Sequence, residues 1–164
     1  MSRTGCPPTR AVVGITTALV GAAAVVGYTK WTLTDRAFAR DTDEVVRIAT
    51  EVSEATATFS PSDPTGSVEK AASMMAPERA DAFRAQFAPD TADMAKRRVT
   101  AKAATISAGL EALAPSAATV AVLIRGTQTE AGQQPSTAVL ALRVALSKVD
   151  GAWKVVDVAP INAK

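Results

Sequence analysis

An α+β domain behind one N-terminal transmembrane helix is the fold class this sequence predicts, and three features predict it. Residues 11–29, AVVGITTALVGAAAVVGYT, carry no charge. From Asp35 the apolar residues return at helical intervals. From about Ala101 they alternate with period two, as far as the closing SKVDGAWKVVDVAPINAK. Helices first and strands afterwards describe helices that cover one face of a curved four-stranded antiparallel sheet.

Nineteen uncharged residues make a helix of about 28 Å, close to the hydrocarbon thickness of a bilayer. Tyr28 and Trp31 lie at its C-terminal end and Arg10 and Lys30 bracket it, so these four are the expected membrane-interface anchors. A cleavable signal peptide ending near Ala22-Ala23-Ala24 is the competing reading, but the apolar run continues past that point to Tyr28. Cys6 precedes the run, in a short tail over 1–10. Gly14, Ala18 and Ala22 form a small-residue row that reflects the Ala- and Gly-rich composition. Counting Lys and Arg beside the span would place the C-terminal domain in the cytoplasm, yet those cations are interleaved with acids and whole domains translocate largely regardless of charge. Charge alone leaves the topology open.

The next segment, 30–60, reads as a linking amphipathic helix with Phe38, Val45, Ile48, Val52, Ala55 and Phe59 on one face. Asp43, Arg47 and Glu51 alternate in sign on the other. SPSDPTG ends it, because two prolines and a glycine cannot continue a helix. Residues 61–164 make up the remainder of the domain. A second helix is predicted from Ser67 as N-cap to Ala76, and Pro77 opens another that carries Phe83 and Phe87 on a shared face. APDTADMAKRR is expected to form a separate short turn, with Lys96, Arg97 and Arg98 as a solvated basic end. Four strands come next, near 101–113, 117–129, 137–149 and 152–159. Their links are short, and Asp150-Gly151 favours a type I′ hairpin because both residues tolerate positive φ. Trp153 and Val155 then share one strand face, where the tryptophan is expected to be buried.

Composition narrows the function. Apolar residues are 48% of the 164 and aromatics 4%, so the core is built mainly of Ala, Val and Leu. Three of the 18 cations lie in or beside the apolar stretch, leaving 15 against 16 acids afterwards. Such a near-neutral domain gives no support for nucleic-acid binding. The chain has one cysteine and no histidine, which excludes an intramolecular disulfide and histidine-based catalysis or metal ligation. SVEK, Ser67 to Lys70, has the Ser-x-x-Lys spacing of serine β-lactamases, but the partner motifs are missing and the serine has a plainer use as a cap. Glu111 and Asp157 are the candidate carboxylate bases, without a tyrosine or histidine donor in the domain to work with. No catalytic residue, cofactor or metal ligand is assigned.

The order of parts, together with Asp150, Gly151, Trp153, Val155 and Asp157 in VDGAWKVVDV, resembles the Mce-associated membrane proteins of actinobacteria. The resemblance covers nearly the whole chain. Its implied fold is the cystatin-like or nuclear transport factor-like cone, and cone folds of that type end in similar tryptophan hairpins. Its implied function is that of a non-catalytic accessory subunit, single-pass in the inner membrane with an extracytoplasmic domain. Such a subunit would assemble Mce complexes that import fatty acids or sterols, with Mce transporter proteins or homologous Mce-associated proteins as partners. This chain departs from the family by its proline-containing N-terminus and alanine-heavy domain. The periplasmic core subunit of type IV secretion systems resembles it in topology too, and a membrane-tethered cone-fold enzyme or small apolar ligand binder is the third reading.

Overall fold

The computed structural model describes residues 37–161. The apolar stretch with Arg10, Tyr28, Lys30 and Trp31, and Cys6 before it, lies outside the described residues. Among the described residues, no helix is long and apolar enough to cross a membrane.

Helix α1 occupies 37–56. Val45, Ile48, Ala49, Val52 and Ala55 recur on one face and are buried, so the segment expected as a linker supplies one wall of the core. Phe38 departs from the expected stripe and is 55% exposed. After the helix, Phe59 pairs through both backbone groups with Ala101, at 2.8 and 2.9 Å. This ties the end of α1 to the start of the sheet.

Helix α2 is Gly66–Ser73, and its start corrects the expected Ser67 cap. Thr65 is the residue before the first turn and makes no side-chain cap; the Gly66 N–H instead donates to Asp63 Oδ1 at 3.0 Å. The turn through Pro64 lets Asp63 reach forward, and Gly66 leaves room for it, since a Cβ there would collide with the carboxylate. The helix stops at Ser73 rather than running to Ala76. Met75 is drawn into a parallel bridge with Val155, and the backbone groups of Met74 and Ala76 bond to Val155 at 2.9 and 2.8 Å.

Helix α3 is Pro77–Lys96, twenty residues without a break, where the sequence predicts a separate short turn after Phe87. Pro89 sits inside it. A proline removes its own N–H, so one carbonyl loses a donor while the φ it imposes remains helical. Arg98, at φ 53°, ends the segment in the left-handed region before Val99 enters the core.

The strands are β1 (Thr100–Leu113), β2 (Ala117–Thr129), β3 (Ser136–Val149) and β4 (Ala152–Pro160), in the order β1-β2-β3-β4 and antiparallel throughout. They lie within a residue of the predicted spans. Asp150 and Gly151 both have positive φ, 51° and 81°, as the expected two-residue hairpin requires. Val120, Val122 and Ile124 of β2, Val144 and Leu146 of β3, and Trp153 and Val155 of β4 form the inner face, against α1, α2 and α3. Trp153 is 4% exposed, and Lys148 Nζ lies 4.8 Å from its ring centre.

Two substitutions test this packing. Trp153→Ala should cost about 3–5 kcal/mol, the range for truncating a buried aromatic, and a denaturant midpoint that does not move would rule that burial role out. Ser53 Oγ is buried in the core without a hydrogen-bond partner. Ser53→Ala should therefore be neutral or raise stability by up to about 1 kcal/mol, measured in the same titration; a clear loss would contradict the arrangement.

Candidate functional site

The inner face of the sheet tapers in side-chain size. Near the β3–β4 hairpin its rows are filled by residues such as Leu146 with Val155 and Val120 with Val144. At the other end Ala103, Gly126 and Ala138 stand in register across β1, β2 and β3. Alternation along β2 would call for another large residue after Val120, Val122 and Ile124, and glycine stands there instead. Gly126 and Ala138 of this row leave a cleft of about 330 Å³ between the sheet and α3, bordered also by the end of α1 and the start of α2, while Ala103 faces a separate cavity.

The cleft walls are mostly apolar. Phe83 and Phe87, one turn apart on α3, contribute a tilted aromatic pair with ring centres 4.5 Å apart. Met94 extends the helical wall and Leu140 the sheet wall. Leu140 belongs to the inner face by register, yet it is 46% exposed because it borders this opening. Polar groups border it too: Asp90 of α3 with Gln128 and Ser136 of the sheet are exposed at the mouth, and Thr91 of α3 is buried. Thr91 Oγ1 donates to the Ala88 carbonyl at 3.0 Å. Among the described residues that line the cleft, none is Lys or Arg, and Asp90 takes part in none of the ion pairs described.

Ser67 lies in the first turn of α2 and borders this cleft and a more polar neighbour of about 390 Å³. Lys70, three residues on, borders only the polar one, together with Glu54 and Asp63. Glu54 is engaged, since its Oε1 accepts the Thr105 N–H at 2.8 Å.

The two candidate bases are not brought to either cleft. Glu111 is held on the outer face by Arg143, whose Nε and Nη2 donate to its two oxygens at 2.7 and 3.0 Å. The bulge of β1 between Leu110 and Ala112 lets Glu111 reach over β2, where Ala121 is small enough to be crossed. The hydrogen bonds from Arg143 push the Glu111 carboxyl below its ordinary value of 4.5, the opposite of what a general base needs. Asp157 is exposed and pairs in register with Ala145, on that same outer face. In the basic triplet, Arg97 is occupied by Asp93 and Glu130, at 3.4 and 3.1 Å. The hairpin residues Asp150, Gly151, Trp153 and Val155 lie at the filled end of the sheet and shape the core. Sequence reasoning missed the cleft, although the breaks in alternation at Gly126 and Ala138 were its visible trace.

No family model matches the sequence, and no curated protein matches it. Solved structures do match. A periplasmic fragment of TraM superposes with a TM-score of 0.60 at 8% identity, over 74% of this chain and 97% of that one. An IcmL-like type IV secretion system protein from Legionella pneumophila gives 0.60 at 15% identity, over 74% and 94%. VirB8 of Agrobacterium tumefaciens gives 0.58 at 12% identity, with the same coverage. At such identities the likeness is one of fold. The domain has the nuclear transport factor-like fold, helices on a four-stranded antiparallel sheet.

The Glu111–Arg143 pair carries a pH signature. A carboxyl whose folded pKa is depressed contributes stability that is present above its unfolded pKa and is lost as pH falls through the folded value. Glu111→Gln should therefore be slightly less stable than the parent at neutral pH, and the gap should close as pH falls below about 4.5. Both side chains are partly exposed, so the gap is small and shrinks in high salt. Melting curves between pH 3 and 7 check this, and a gap that widens in acid would refute it.

Proposed function

We propose that this protein is a non-catalytic scaffold subunit of a cell-envelope complex, working through protein contacts in the manner of the type IV secretion components whose fold it shares. The observation that carries the reading is the extent of the likeness. Two solved domains, one described as a periplasmic fragment and the other as a type IV secretion system protein, are matched over 97% and 94% of their length. The uncharged stretch at 11–29 supports it, since a single anchor followed by an extracytoplasmic domain is the layout such a subunit needs. So does the placement of the two candidate carboxylates, Glu111 being held by Arg143 and Asp157 lying exposed on the outer face, away from both clefts.

The accessory subunit of an Mce-type lipid importer is kept as a second proposal. One observation favours it: the domain carries an apolar cleft, as a subunit that handles lipid would.

Affinity purification of the tagged full-length protein from its host in mild detergent, with mass spectrometry of what accompanies it, separates the two. Secretion-channel subunits are the expected companions. Recovery of Mce proteins with a permease or ATPase would replace the first reading by the second, and a protein that purifies alone would overturn both.

A further inference from the structure

The cleft beside α3 has a built character that a scaffold role does not use. Gly126 has no conformational reason to be glycine: its φ is not positive, and a Cβ added there would meet nothing within 4 Å. A larger apolar residue at this inner-face position would fill the space and add burial. Together with its register partner Ala138, Gly126 keeps open a cleft of about 330 Å³, in the size range of small-molecule sites.

The walls determine what chemistry fits. Phe83, Phe87, Met94 and Leu140 offer an apolar and partly aromatic interior. The single charged side chain at the mouth is Asp90, which comes three residues after Phe87 and so lies on the same side of α3. With no Lys or Arg among the described lining residues, a bound carboxylate or phosphate would face an acid and find no countercharge. An ammonium would find one, beside aromatic rings that also favour cations. We propose that this cleft binds a small hydrophobic amine in its protonated form, its apolar body between α3 and the sheet and its ammonium at Asp90. The proposal goes beyond the scaffold reading and stands or falls separately from it.

Three probes of one shape test it: 4-phenylbutylammonium, 4-phenylbutanol and 4-phenylbutanoate, titrated by calorimetry into the full-length protein. A Gly126→Leu variant in the same detergent serves as the blank for partition into micelles. The ammonium should bind saturably and about tenfold more tightly than the carboxylate, one charge being attracted and the other repelled by an exposed acid. Asp90→Asn should bring the two close to parity, and Asp90→Glu should restore the preference. Gly126→Leu should abolish binding with a melting temperature unchanged or raised, which separates a filled cleft from a misfolded domain. Equal affinity for ammonium and carboxylate, or binding that survives Gly126→Leu, would overturn the proposal. So would the absence of saturable binding for all three probes, which would leave the cleft as a surface for a protein chain. The companions found in affinity purification bear on the scaffold reading alone, so the two can fail independently.

Discussion

The backbone of Val155 is the joint on which the domain depends. Its N–H donates to Met74 and its carbonyl accepts from Ala76, while its side chain and that of Trp153 enter the core. Helical layer and sheet are thereby held at β4 by directional bonds as well as by packing. Lys154 reinforces the contact, with Nζ donating to the Ser73 carbonyl at 3.0 Å. In a chain with 4% aromatics the core has few large side chains to spare. The hairpin that delivers Trp153 therefore carries more of the packing than its position near the end of the chain suggests.

The same joint helps to manage the sheet's edges. An exposed edge strand invites pairing with other chains, and proteins blunt such edges with bulges, prolines and covering segments. On β4, Met75 covers Val155, a bulge lies just beyond it, and Pro160 closes the strand. On β1, Phe59 pairs with Ala101, Glu54 takes the Thr105 N–H, and two irregularities interrupt the register beyond. With both edges blunted, pairing of this sheet with a strand of another chain is disfavoured. On the outer face Gly109, Ala121 and Ala159 lie in one row with Arg143, whose ion pair with Glu111 crosses Ala121.

How much could be read from the sequence depends on the range of the interactions involved. Period-two alternation and the Asp-Gly turn are local, and they placed all four strands and the hairpin correctly, with Trp153 inside. Errors fell where a distant partner decides. Met75 leaves its helix because Val155, far along the chain, needs a backbone partner. Asp63 displaces Ser67 as the cap because a turn brings it forward, and Pro89 is tolerated because it removes only one helical bond. Glu111 has the residue type of a base, but Arg143, two strands away, holds it. The cleft was least legible, since Gly126 and Ala138 become neighbours only once the register is known.

That pair also shows where stability does not explain the sequence. Filling the cleft with one apolar side chain would contribute about 1.5–3 kcal/mol of burial, a large fraction of the margin by which most domains are stable. At Gly126 the backbone would accept it, and an added Cβ would meet no atom within 4 Å. Leu140 would gain cover from the same change, being 46% exposed at the cleft despite its inner-face register. The hairpin end of the sheet, by contrast, is filled completely, with Val120, Val144 and Val155 at 0% exposure. One end of the same sheet is thus packed for stability and the other held open at a cost to it. The open end also brings two packed phenylalanines and a carboxylate outside the described ion pairs to the same side of a single helix, so the selectivity of the space is set by α3 rather than by the strands.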